Sequence, residues 1–136
     1  MSSDGIQVGP GLPSRGLRFR LRPGHDKGFI IGLGLKSSAP ADYKDIDYAV
    51  CCYSGGGLHV TERGSQKFTS PKKSSANSLI ELRVTEGKVE LWLDGENVGY
   101  IGSLQGPSTL HAMADIWDLG AEVNDIQWVG GGSEPI

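Results

Sequence analysis

The sequence predicts an all-β protein, an antiparallel two-sheet β-sandwich. Three observations lead there. Apolar and polar residues alternate with period two, most clearly within Ser78 to Gly102, SLIELRVTEGKVELWLDGENVGYIG. The dipeptides Glu86-Gly87 and Asp94-Gly95 separate those alternating runs, and tight hairpin turns need the positive φ that Gly takes at little steric cost. The 21 glycines are spread between short apolar runs, with no strand–helix–strand rhythm to favour a parallel sheet. Each sheet then has one apolar face, which it must bury on the other about 10 Å away.

The elements follow in order. Gly5–Val8 is a short strand, followed by a Gly/Pro-rich loop. Leu17, Phe19 and Leu21 alternate with Arg18, Arg20 and Arg22 until Pro23-Gly24 ends the strand, because Pro cannot donate to a ladder. Phe29, Ile31, Leu33 and Leu35 form the next buried row. A loop at Lys36–Asp45 leads into IDYAVCCYS; LHVTERG and KFTS follow, and Pro71–Asn77 is a polar loop carrying Lys72 and Lys73. In the triple-strand unit Ile80, Leu82 and Val84, then Val89, Leu91 and Leu93, make the buried row and leave Trp92 on the opposite face. LHAMADIWDLGAEVNDIQWV reads as two strands parted near Asp118–Gly120, with Trp128 and Ile126 on one side and Trp128 in the core. Residues 1–14 are a lead-in, 15–129 the sandwich domain and 130–136 a flexible Gly-rich tail.

Composition narrows the function classes. At 136 residues the chain makes one domain with room for a two-layer core. A formal charge of −3 provides no global drive toward nucleic acid or an anionic membrane. No apolar run approaches the roughly 20 residues that span a bilayer. The first residues, MSSDGIQVGPGLPS, lack the basic start and apolar core of a secretory signal. Cys51 and Cys52 are adjacent in a strand, so their side chains point to opposite faces and are badly placed to bond each other. Two buried thiols fit a reducing compartment, and the expectation is a cytoplasmic or otherwise intracellular protein.

Two segments resemble known domains. DYKDIDYAVCCYSGGGLHVTERG is similar to a segment of concanavalin-like jelly rolls in which an Asp-Ile-Asp-Tyr-Ala core opens a strand and a Leu-x-Val-x-Glu strand follows a short turn. KVELWLDGENVGYIGSLQGPSTLHAMADIWDLGAEV resembles the later half of those domains and of SPRY domains, and IIGLG fits the strand before the acidic loop. The resemblance runs from about Arg15 to Val129 and implies a concanavalin-like jelly roll. It does not choose a function, because the superfamily includes lectins, glycan-binding domains, glycosidases and SPRY protein-interaction modules.

The resemblance also supplies a test for catalysis. Glycosidases of the superfamily carry a strand motif of the type Glu-x-Asp-x-x-Glu, which sets two carboxylates about 5 Å apart for retaining chemistry. Glu90, Asp94 and Glu96 are the nearest cluster here; Asp94 falls in a turn and the spacing is incomplete. His25, His59 and His111 are scattered, and no Gly-x-Ser-x-Gly elbow occurs. No catalytic apparatus and no cofactor is expected. Asp42, Asp45 and Asp47 lie in one loop-to-strand segment and would suit Ca²⁺; the competing role is to accept backbone hydrogen bonds and shape the loop.

Binding residues are the remaining candidates. Arg18, Arg20 and Arg22 share one strand face in an acidic chain, and like charges two residues apart repel unless compensated. The compensation comes from cross-strand carboxylates such as Glu81, Glu90 or Asp125, or from an anionic ligand. Single-stranded nucleic acid would need aromatics interleaved with these arginines, and Phe19 faces the other way. Trp92, with Glu90 beside it, and Tyr43 would complete a glycan groove; Trp117 sits near a strand end. The expected function is therefore non-catalytic recognition, a lectin-like glycan-binding module using Trp92, Glu90, Arg18, Arg20, Arg22 and Tyr43. The alternatives are a SPRY-like protein-interaction domain, with the loops Lys36–Asp45 and Pro71–Asn77 as its surface, and a structural subunit that forms a homo-oligomer through an open face or edge.

Overall fold

The computed structural model describes residues 5–22, 28–36, 43–53, 56–75, 77–116 and 122–130. It is all-β, with eleven strands among the described residues. These are β1 (Ile6–Val8), β2 (Arg15–Arg22), β3 (Gly28–Gly34), β4 (Tyr48–Tyr53), β5 (Leu58–Glu62) and β6 (Ser65–Thr69). β7 (Ser78–Thr85), β8 (Lys88–Leu93), β9 (Glu96–Ser103), β10 (Ser108–Ile116) and β11 (Glu122–Gly130) complete the set. They form a six-stranded sheet, β1-β10-β3-β4-β5-β6, and a five-stranded sheet, β11-β2-β7-β8-β9. All the pairings are antiparallel, so the molecule is a two-sheet jelly-roll sandwich. No helix long and apolar enough to cross a membrane occurs among the described residues.

The period-two rows meet between the sheets. Leu17 and Phe19, Ile80, Leu82 and Val84, and Val89, Leu91 and Leu93 face Ile31, Leu33, Tyr48, Val50, Leu58 and Val60 in one core. Fully burying each such side chain stabilises by roughly 1.5–3 kcal/mol, which is why the alternation dictates the layering. Three hairpins turn on pairs with positive φ: Arg63-Gly64 (49° and 86°), Glu86-Gly87 (50° and 78°) and Asp94-Gly95 (50° and 84°). That geometry matches the right-handed twist of the flanking strands. Asp94 also closes its own turn, accepting the Leu79 N–H on Oδ1 at 2.8 Å while its N–H donates to Leu79 O at 2.8 Å.

A second apolar cluster lies outside the sandwich, on the outward face of the six-stranded sheet. Ile30, Ile46, Ala49, Cys51 and Met113 are all buried there. Gly32 and Ala49 are partners in register, and the absence of bulk lets Ile46 fold back over them. A Cβ on Gly32 would stand 2.7 Å from Ile46 Cγ2 and collide with Tyr48 O. This covering explains why YAVCCY is an unbroken apolar run: β4 is buried on both faces. Cys52 enters the main core and Cys51 this outer cluster, and both are unpaired thiols.

Two sequence expectations are corrected. Leu35 does not extend the buried row; β3 ends at Gly34 and Leu35 is 41% exposed, where its N–H donates to Asp47 Oδ2 at 2.8 Å. Ile126 does not share the core side with Trp128. The register of β11 on β2 shifts between Asn124 and Gln127, with Asp125 at φ 55°, so Trp128 is 6% exposed and Ile126 36%. The expected break at Asp118–Gly120, Trp117, His25 and the tail beyond Gly130 lie outside the described residues.

Candidate functional site

The outward face of the five-stranded sheet concentrates the polar side chains. Gln127, Arg18, Glu81, Trp92 and Asn97 stand in direct cross-strand register across β11, β2, β7, β8 and β9. A neighbouring row places Arg83 opposite Glu90 and Glu90 opposite Tyr100. The same alternation that sends Leu17, Leu82 and Leu91 inward sends these groups outward.

Trp92 is on the expected face, but it is no open platform. It is half-buried, and the Arg83 guanidinium carbon sits 3.8 Å from the ring centroid. Such a contact contributes about 0.5–1 kcal/mol, more when desolvated. Arg83 Nε also pairs with Glu81, which is 4% exposed. Buried carboxylates need such a partner, since an unpaired charge there would cost several kcal/mol. Trp92 Nε1 is buried and finds no hydrogen-bond partner among the described residues. Glu90 accepts a hydrogen bond from Asn97 Nδ2 at 2.9 Å.

Beside this row, the β11 bulge opens a pocket of about 360 Å³ lined by Arg18, Arg20, Leu79, Asp125, Ile126 and Gln127. Arg20 donates from Nη1 to Asn77 O at 3.1 Å, and its Nε lies 3.9 Å from Asp125 Oδ2. The arginine comb is therefore compensated in part as expected, by Glu81 opposite Arg18 and by Asp125 near Arg20. Of the residues read from sequence, Arg18 and Arg20 line this pocket, and Trp92 and Glu90 stand on the same face beyond Glu81. Arg22 is in β2 and pairs with Glu122 in register; its side chain lies outside the described residues. Tyr43 opens a 3-10 turn (Tyr43–Asp45) that leads into β4 in the other sheet; its side chain lies outside the described residues. Sequence reasoning missed Gln127, Leu79 and Ile126 as pocket residues, and Arg83 as the cap on Trp92. Register alone could have placed Gln127 and Arg83; the bulge carries no sequence signature.

The acidic candidates are held in structural roles. Asp47 accepts the Leu35 N–H on Oδ2 and Arg63 Nε–H on Oδ1 at 3.1 Å, and that bond holds the Arg63 guanidinium above its ordinary pKa. Asp45 is exposed at the end of the 3-10 turn, and Asp42 lies outside the described residues. Both Asp47 oxygens accept hydrogen bonds, and no group of three His, Cys, Asp or Glu side chains suited to a metal occurs among the described residues, which do not include Asp42. Glu96 pairs with Lys72.

The outward face of the six-stranded sheet carries a polar group at His59. His59 Nδ1 is 3.0 Å from Thr69 Oγ1 and 3.3 Å from Gln66 Nε2, and its ring meets Tyr53 edge-on at 4.9 Å.

No protein-family model matches the chain, and no curated protein matches its sequence. Solved structures do match in fold. Carbohydrate-binding module CBM66 from Bacillus subtilis is 12% identical, with a TM-score of 0.55 over 94% of this chain and 93% of that one. An alginate lyase from Corynebacterium sp. is 12% identical, with a TM-score of 0.56 over 93% of this chain and 62% of the lyase. A human galectin-16 variant is 11% identical, with a TM-score of 0.54 over 96% of this chain and 97% of that one. At these identities the likeness establishes the shared jelly-roll sandwich.

Proposed function

We propose that this protein is a non-catalytic, lectin-like glycan-binding module whose ligand lies on the outward face of the five-stranded sheet. The observation that carries this is the bulge pocket of about 360 Å³, a volume within the range of small-molecule sites. Leu79 and Ile126 offer apolar contact to sugar C–H groups, while Arg18, Arg20, Gln127 and Asp125 offer planar donors and acceptors to adjacent hydroxyls. Past the buried Glu81, the side chains of Arg83, Glu90 and Asn97 extend the polar surface across the sheet for further sugar units. Two solved structures of the same fold are named as a carbohydrate-binding module and a galectin, which supports the reading. The carboxylates closest to a glycosidase motif are held by Asn97, by the Leu79 N–H of β7 and by Lys72, which favours binding over hydrolysis. Binding needs no metal on this reading. Two buried, unpaired thiols support a reducing compartment.

A glycan array of neutral, acidic and sulfated glycans, run with Ca²⁺ and with EDTA, tests the proposal. Selective binding that survives EDTA is expected. A blank array with folded protein would overturn it and favour a SPRY-like protein-binding role; release of reducing ends that is lost in Glu90→Gln would make the protein an enzyme.

A further inference from the structure

Resting on the glycan reading above, we infer that the bulge pocket selects a negatively charged sugar, with Arg18 and Arg20 receiving its carboxylate or sulfate. The two guanidinium groups leave the same face of β2 two residues apart, a separation of about 7 Å along a strand. That spacing brackets an anion held between them. The charges of this region do not cancel. Glu81 pairs with Arg83 and also stands opposite Arg18 in register, so three arginines, Arg18, Arg20 and Arg83, share the two carboxylates of Glu81 and Asp125 around the pocket. The Arg20–Asp125 contact of 3.9 Å is longer than a hydrogen bond, and the two side chains are 39% and 72% exposed. Water screens such a pair, and it is readily exchanged for a better anion. An excess of cation is thus held in a concave site of a chain whose net charge is −3. Gln127, opposite Arg18 in register, adds an amide donor toward the same space. Arg18 and Arg20 present planar N–H pairs that match carboxylate and sulfate oxygens better than a lone hydroxyl.

Titration of the full chain with neutral, uronic-acid and sulfated hexasaccharides of equal length tests this directly. At least one charged probe is expected to bind about tenfold or more tighter than the neutral one, with the advantage shrinking as salt rises from about 50 mM to about 500 mM. The uronic-acid and sulfated arms decide which anion is preferred. Asp125→Asn should tighten the charged probe roughly threefold, because it removes the competing carboxylate and Asn tolerates the φ of 55° at that position. Arg20→Gln should weaken the charged probe about tenfold and leave a neutral one within twofold. Equal binding of neutral and charged probes without salt dependence would overturn the inference while the glycan reading stands. Binding of none of the three, nor of any glycan on the array, would remove both. Charged-probe binding unmoved by either variant would place the anion elsewhere on the protein and overturn the pocket assignment.

Discussion

The outward faces of the two sheets are built from the same alternation and end in opposite states. On the five-stranded sheet the outward row is Gln127, Arg18, Glu81, Trp92 and Asn97, of which Gln127 and Arg18 line a pocket. On the six-stranded sheet the outward positions of β3, β4 and β10 include Gly32, Ala49, Cys51 and Met113, sealed with Ile46 into a second apolar cluster. The difference lies in what each strand had to accommodate. Small residues on β3 and β4 admit a covering side chain from the segment ahead of β4; on the other sheet the long charged residues Arg83 and Glu81 of β7 pair with each other, and Arg18 and Arg20 of β2 line the pocket. One face became a second small core and the other stayed polar, with a pocket beside it.

That contrast is most easily broken by bulk. Gly32→Val is expected to destabilise the protein by about 3 kcal/mol or more, because its side chain meets Tyr48 O and Ile46 with no room to relax. Denaturant unfolding measures it; a loss below about 1 kcal/mol would mean that the outer cluster is loosely packed. Arg18→Ala comes next. It should weaken glycan binding about tenfold, a difference of about 1.4 kcal/mol, while melting temperature stays nearly unchanged. Titration beside thermal unfolding separates the two effects, and a variant that unfolds would make Arg18 structural.

A smaller effect is expected from pH. Burial pushes the Cys51 thiol up to about 11, and also raises Cys52 and Tyr48. A group raised in the folded state holds its proton more tightly there, so its stabilisation is complete below the unfolded value, near 9 for a thiol, and is lost as pH climbs through the folded value. Melting temperature should therefore drop by several degrees between pH 9 and about 11, and Cys51→Ala should make that slope shallower, with Cys52 and Tyr48 carrying the remainder. A flat profile in the parent protein would show that the outer cluster admits water. The smallest change belongs to His59→Ala, which should leave glycan affinity within about twofold. A large loss there would move the binding surface to the six-stranded sheet and reverse the comparison.

Much of this was legible in the sequence because it depends on neighbours along the chain. Ile80, Leu82 and Val84 against Glu81 and Arg83 define a strand and its two faces wherever that strand packs. Glu86-Gly87 and Asp94-Gly95 announce their hairpins through φ alone. Arg18 and Arg20 are on one face for the same local reason. Trp92 was placed on the correct face but not beneath Arg83, because that contact needs the register between β7 and β8. Ile126 was assigned to the wrong side because period two fails across a bulge, and nothing in NDIQWV announces one. Leu35 was counted as core because alternation cannot tell where a strand stops.

The chain by itself determined the all-β class, the inward rows, two of the hairpin turns and the concentration of arginine on β2. All are settled within a few residues, by side-chain alternation and backbone torsion. Only the tertiary structure decided that β10 returns between β1 and β3, that Ile46 seals one outward face, and that a bulge at Asp125 opens a pocket beside Arg18 and Arg20. These depend on which strands become neighbours and in what register, and contacts between residues far apart in the chain carry that information.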